Sequence, residues 1–101
     1  MNEQIKTFFE KIVAEPSDLG QSSLMDAKSM AKEALDGRYD CSNALFALRA
    51  ALYHQSILNF NNEKILEMLR EGKIQELIGE FERAKLCLEL AREAELIFNS
   101  R

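Results

Sequence analysis

The stretch KIQELIGEFERAKLCLELAREAELIF, residues 73–98, decides the fold class. Ile74, Leu77, Phe81, Ala84, Leu88, Ala91 and Phe98 follow alternating steps of three and four, and Glu95 is the only charge in the stripe. That spacing makes a heptad seam along one side of a helix. Leu86, Leu90 and Ile97 form a second apolar stripe at similar spacing, roughly opposite the seam in heptad terms. A helix of this length rises ~39 Å, at about 1.5 Å per residue. It should therefore project past shorter neighbours. Two apolar faces on a projecting rod point to one face that meets something other than its own core. The expected contact residues are Leu86, Leu90 and Ile97.

The remaining segments also read as helices. In residues 3–14, Ile5, Phe8, Phe9, Ile12 and Val13 share one face. Pro16 disfavours helix in the residue before it and Gly20 punctuates the loop. Residues 23–36 carry Leu24, Ala27, Ala31, Ala34 and Leu35, with Ser23 and Asp26 as a capping pair and Gly37 as the stop. Residues 41–59, capped by Asp40 or Ser42, are apolar nearly all round from Ala44 to Tyr53, which predicts a central helix enclosed on most sides. Arg49 breaks that run and must reach water or an acidic partner. Residues 63–71 make a short helix ended by Gly72. The expected fold is all-α: one domain, an antiparallel bundle of four main helices plus one short helix.

Composition narrows the function classes. A chain of 101 residues holds one modest core. The 13 basic and 17 acidic residues leave a net charge of −4, which disfavours a nucleic-acid partner and leaves a nucleic-acid accessory protein as the lesser alternative. No run is long enough to span a membrane, and the N-terminus lacks the pattern of an export signal. Cys41 and Cys87 are then expected as reduced thiols in the cytoplasm.

The residues that bear chemistry are few. His54 is the one histidine, so zinc and di-iron sites have no ligand set, and neither a metal nor a cofactor is expected. Glu76 with Glu80, and Glu89 with Glu93, stand four apart; each reads as a solvated acidic face beside Lys73, Lys85 and Arg92. No glycine cluster cradles phosphate, and no nucleophile elbow is present. Cys41 sits at a helix start, which favours a thiolate, but the adjacent Asp40 opposes it. A ligand-binding alternative would place Arg49 and His54, with Tyr39 or Tyr53, on one pocket between helices. Gly37 and Gly72 lie 35 positions apart and each leads from helix to helix, a faint echo of tetratricopeptide repeats; two ordinary helical hairpins give the same pattern.

In length and amphipathic bundle pattern, the chain is similar to the small antiparallel helical immunity proteins that protect bacteriocin producers. The likeness is one of form, carries over no residues, and implies action by binding another protein. The sequence thus predicts a non-enzymatic interaction module (adaptor, inhibitor or immunity-type factor) engaging a protein partner or a second copy of itself.

Overall fold

The computed structural model describes residues 2–20, 26–58 and 62–100. These form five helices and no strand: α1 (Glu3–Ala14), α2 (Ala27–Leu35), α3 (Cys41–Leu58), α4 (Asn62–Arg70) and α5 (Ile74–Asn99). The all-α expectation holds, and the four main helices and the short one fall close to their expected positions.

Local chemistry sets the helix ends. The Asn2 side chain accepts from the Ile5 N–H at 2.8 Å to start α1, and Glu15 leaves the helix in an extended conformation just before Pro16. Asp26 starts α2 by accepting from the Ser29 N–H at 2.8 Å. Ser23, the other half of the expected capping pair, lies outside the described residues. Asp40 accepts from the Asn43 N–H at 3.1 Å and caps α3. Two helices stop in the same way. The Arg38 N–H reaches the Glu33 carbonyl and Gly37 reaches Ala34; likewise Lys73 reaches Met68 and Gly72 reaches Leu69. Both glycines have positive φ, 77° and 73°, so each turn is a left-handed cap that satisfies the last carbonyls.

The tight turn at Gly72 folds α4 back along the first half of α5. Farther along, α3 runs antiparallel to α5: Phe46 packs against Phe98, and Arg49 and Tyr53 both reach Glu95. The two shorter helices α3 and α4 thus lie end to end along the 26-residue α5, forming one layer. The α1–α2 pair packs on one side of that layer, against α3 and the C-terminal half of α5. The molecule is accordingly long and narrow, 48 × 22 × 21 Å. The expected projection of the fifth helix is present, and the projecting part is its N-terminal half with α4.

Two expectations need correction. Leu90 and Ile97 are each only 3% exposed, and Leu86 packs against the same core. The second stripe is therefore no free docking strip. The C-terminal half of α5 must serve two neighbours at once, α3 on the seam side and the α1–α2 pair on the other. Cys87 and Ala94 lie between the two stripes and are wholly buried, so the buried surface is one continuous arc of roughly 120°. The second correction concerns α3. Ala44, Leu45, Leu48, Ala51 and Leu52 are buried, but Phe46, Ala50 and Ile57 are exposed. Helices cover α3 on the α2 and α5 sides and leave its far side open.

The core is built from Phe8, Phe9 and Ile12 of α1, Met30 of α2, Leu45, Leu48 and Leu52 of α3, and Leu90 and Ile97 of α5, with alanines allowing close helix approach. Leu90→Ala should cost about 2–5 kcal/mol in urea unfolding, the range for deleting a buried leucine. Gly20 has φ 88°, and an added Cβ would lie 2.9 Å from Cβ of Gln55. Gly20→Ala should therefore lower the unfolding midpoint, whereas Gly79→Ala, in open space on a helix, should raise it slightly.

Candidate functional site

The α4–α5 arm has two unlike sides. On the side of the α1–α2 pair lies an open groove of about 760 Å³, lined by Ser17, Asp18, Lys64, Glu67, Met68, Glu71, Lys73, Glu76, Gly79, Glu80 and Arg83. Four of its charges answer one another in pairs. Arg83 donates to both carboxylate oxygens of Glu80 at 2.9 Å, and Lys73 pairs with Glu71 at 3.0 Å. Glu71, with the neighbouring Glu76 and Glu67 adding to the field, holds the Lys73 ammonium above its ordinary pKa. The groove is polar and open to solvent, unlike the concave apolar pockets that hold small ligands.

The other side of the layer is apolar. Two positions along a helix turn through about 200°, so residues i and i+2 face nearly opposite ways. Leu66 and Leu69 stand two positions from the groove-lining Lys64, Glu67, Met68 and Glu71. Ile74, Ile78 and Phe81 stand two positions from Glu76, Gly79, Glu80 and Arg83. On α3, Phe46 stands two from buried Leu48, and Ile57 two from Gln55, which meets Gly20 of the α1–α2 connection. Leu96 stands two from buried Ala94. Those eight residues are 42–71% exposed, and the only other large hydrophobic exposed among the described residues is Val13, on α1. Exposed bulk is therefore gathered on the side of the layer that α1 and α2 leave open.

Within that side, the densest cluster is on the arm. Leu66, Leu69, Ile74, Ile78 and Phe81 carry no charged residue among their own positions. Toward the C-terminal end of α5 the same side carries Lys85, Glu89 and Arg92 before Leu96, so the apolar surface thins out. The candidate site is thus the apolar face of the arm. Ile74 and Phe81 belong to the heptad seam of the sequence; Ile78 belongs to neither apolar stripe, and the spacing of the seam does not mark it. The second stripe, Leu86, Leu90 and Ile97, makes no part of it.

The ligand-binding alternative fares differently from its expectation. Arg49 and His54 are five positions apart, about 140° around the helix, and do not converge. Arg49 lies over the rings of Phe46 and Phe98, 5.3 and 6.0 Å from their centroids, and reaches Glu95 at 3.5 Å. His54 is exposed on the far side of α3, and neither residue lines the groove. Tyr53 donates to Glu95 at 2.6 Å, so the lone charge of the seam is met by two donors from α3. Among the described residues no three histidines, cysteines or carboxylates gather as a metal site, and no helix is long and apolar enough to cross a membrane. Cys41 is half-buried at the start of α3, and Cys87 lies in the core, where burial pushes its thiol above the ordinary range. Glu93 of the second carboxylate pair binds Lys11 at 2.9 Å, tying α1 to α5.

No known protein family, curated protein or solved structure matches the chain.

Two predictions follow from this geometry. Ile78→Glu should change the stability of the isolated chain by about 0.5 kcal/mol or less, and Leu90→Glu should cost on the order of 3–5 kcal/mol; paired urea titrations at high dilution measure both. The hydrogen bond to Glu95 raises the Tyr53 pKa above its ordinary value of 10.0. The folded chain then keeps a proton that the unfolded chain releases, so this contribution is whole below the ordinary value and is lost as pH rises through the folded one. Unfolding midpoints measured from neutral pH to pH 11 should fall above about pH 10, and less steeply in Tyr53→Phe.

Proposed function

We propose that this chain is an interaction protein rather than an enzyme, and that it works through the apolar face of the α4–α5 arm. One observation carries the reading: large hydrophobic side chains collect on the uncovered side of the layer and are densest on an arm that projects from the core. An exposed apolar cluster of this kind, rimmed by charge, marks a contact surface for another protein. The rim is formed by Glu63, Arg70, Glu82 and Lys85.

The dispersal of the chemical groups supports the same reading. His54, Arg49 and Cys41 stand on different parts of α3, and four charges of the groove are engaged in pairs, Arg83 with Glu80 and Lys73 with Glu71. The reading places the chain in the cytoplasm, with Cys41 and Cys87 as thiols. It keeps the broad class of adaptor, inhibitor or immunity-type factor and moves the contact from the C-terminal half of α5 to the N-terminal half and α4.

Occupancy of the face is directly measurable. Photochemical hydroxyl-radical labelling compares the chain inside its host cell with the purified chain at nanomolar concentration. Leu66, Ile74 and Ile78 should be labelled several-fold less in the cell, while exposed Leu96 and Val13 change little. Equal labelling of the arm in both settings would overturn the reading.

A further inference from the structure

Resting on that reading, we infer that the arm's occupant is a second copy of this chain, joined antiparallel about a two-fold axis passing beside Ile78. Three features of the arm favour a copy of itself. The first is architecture. Two antiparallel helices cannot enclose an apolar face between them; a second helical layer must cover it. A second α4–α5 arm is such a layer, and the two together make a four-helix bundle.

The second feature is symmetry. A two-fold interface must be self-complementary, because each surface meets its own image. Ile78 lies four positions after Ile74 and three before Phe81. An antiparallel mate centred at Ile78 sets Ile78 against its own image and brings Ile74 of one copy to within one residue's rise, about 1.5 Å, of Phe81 of the other. Leu66 and Leu69 of α4 flank this row on the same side. The apolar row needs no complementary sequence from elsewhere.

The third feature is area. With the exposures found for Leu66, Leu69, Ile74, Ile78 and Phe81, the arm offers on the order of 500 Å² of apolar surface, about the apolar share of one side of a standard protein interface. The charged groove, lying on the opposite side of the arm, stays open in such a dimer.

Sedimentation equilibrium of the purified chain from low to high micromolar concentration tests the inference. The wild type should pass to twice its 11.6 kDa mass. Ile78→Glu should stay at the single mass throughout, and Leu96→Glu, at the far end of the same side, should associate like the wild type. Circular dichroism checks that each variant is folded. Should Ile78→Glu not fold, Ile78→Cys in a Cys41→Ser background gives an independent readout: mild oxidation should link two copies through position 78, whereas Leu96→Cys in that background should not link. A wild type that keeps the single mass at every concentration overturns the inference, as does a dimer that survives Ile78→Glu or fails to cross-link at 78. If arm residues are nevertheless protected in the cell, the contact reading stands and the occupant is a different protein. If they are labelled equally there, both fall.

Discussion

The structure depends on one helix being longer than any partner it has. α5 spans 26 residues, α3 spans 18 and α4 spans nine. A helix needs an apolar neighbour along its whole buried side, and no single helix here is long enough to provide one. Two helices placed end to end, α3 ending at Leu58 and α4 starting at Asn62, satisfy the requirement. The α1–α2 pair then has room to cover only one end of the resulting layer. The elongation, the projecting arm, the groove beneath it and the exposed apolar side above it are all consequences of that mismatch in length.

The choice of residue size along α5 fits the two environments. Where three helices converge, the buried positions are mostly small: Ala84, Cys87, Ala91 and Ala94, with Leu90 and Ile97 filling toward α1 and α2. Small side chains let axes approach closely, and the larger partners Phe8, Phe9, Leu48 and Leu52 come from the facing helices. On the arm the order is reversed, and bulky Ile74, Ile78 and Phe81 lie on the exposed side. Each of those residues keeps 42–53% of its surface exposed.

Helix number, order and most ends were legible in the sequence because they rest on local chemistry: Asp40 as a cap, Gly37 and Gly72 as left-handed stops, and apolar spacing of three and four; the start of α2 was misplaced, because Asp26, read as the partner of a capping Ser23, is itself the N-cap. The seam on α5 was legible for the same reason. Which of its stripes remained outside was not. Periodicity marks two apolar faces on residues 74–98, but only the tertiary arrangement tells that α1 and α2 take Leu90 and Ile97. The signal in the sequence was the small residues Cys87 and Ala94, which join the two stripes into one buried arc over the C-terminal half and have no counterpart over residues 74–81. The open side of α3 was hidden similarly, because nearly uniform apolarity from Ala44 to Tyr53 does not say which side lacks a neighbour. Arg49 was legible as a group needing water or an acidic partner; that it takes the second, with Glu95, is visible only once α3 and α5 are set antiparallel.

The pairing at Glu95 also bears on where a contact can form. A carboxylate in an apolar seam costs free energy unless donors meet it. Tyr53 and Arg49 meet it from α3, and Arg49 is in turn shielded by Phe46 and Phe98. The C-terminal half of α5 is thereby committed to its own chain on both stripes: Glu95 is answered, and the apolar residues of the stripes are buried or half-buried, with Leu96 outside them. The N-terminal half has no such commitment on its outer side, since α4 is short and covers a single flank. A partner that buries Ile74 and Ile78 removes apolar surface from water without breaking any intramolecular contact. A partner docking on Leu90 or Ile97 would first have to displace α1 and α2 from the core. By that difference in cost, the arm is the less costly place for a contact.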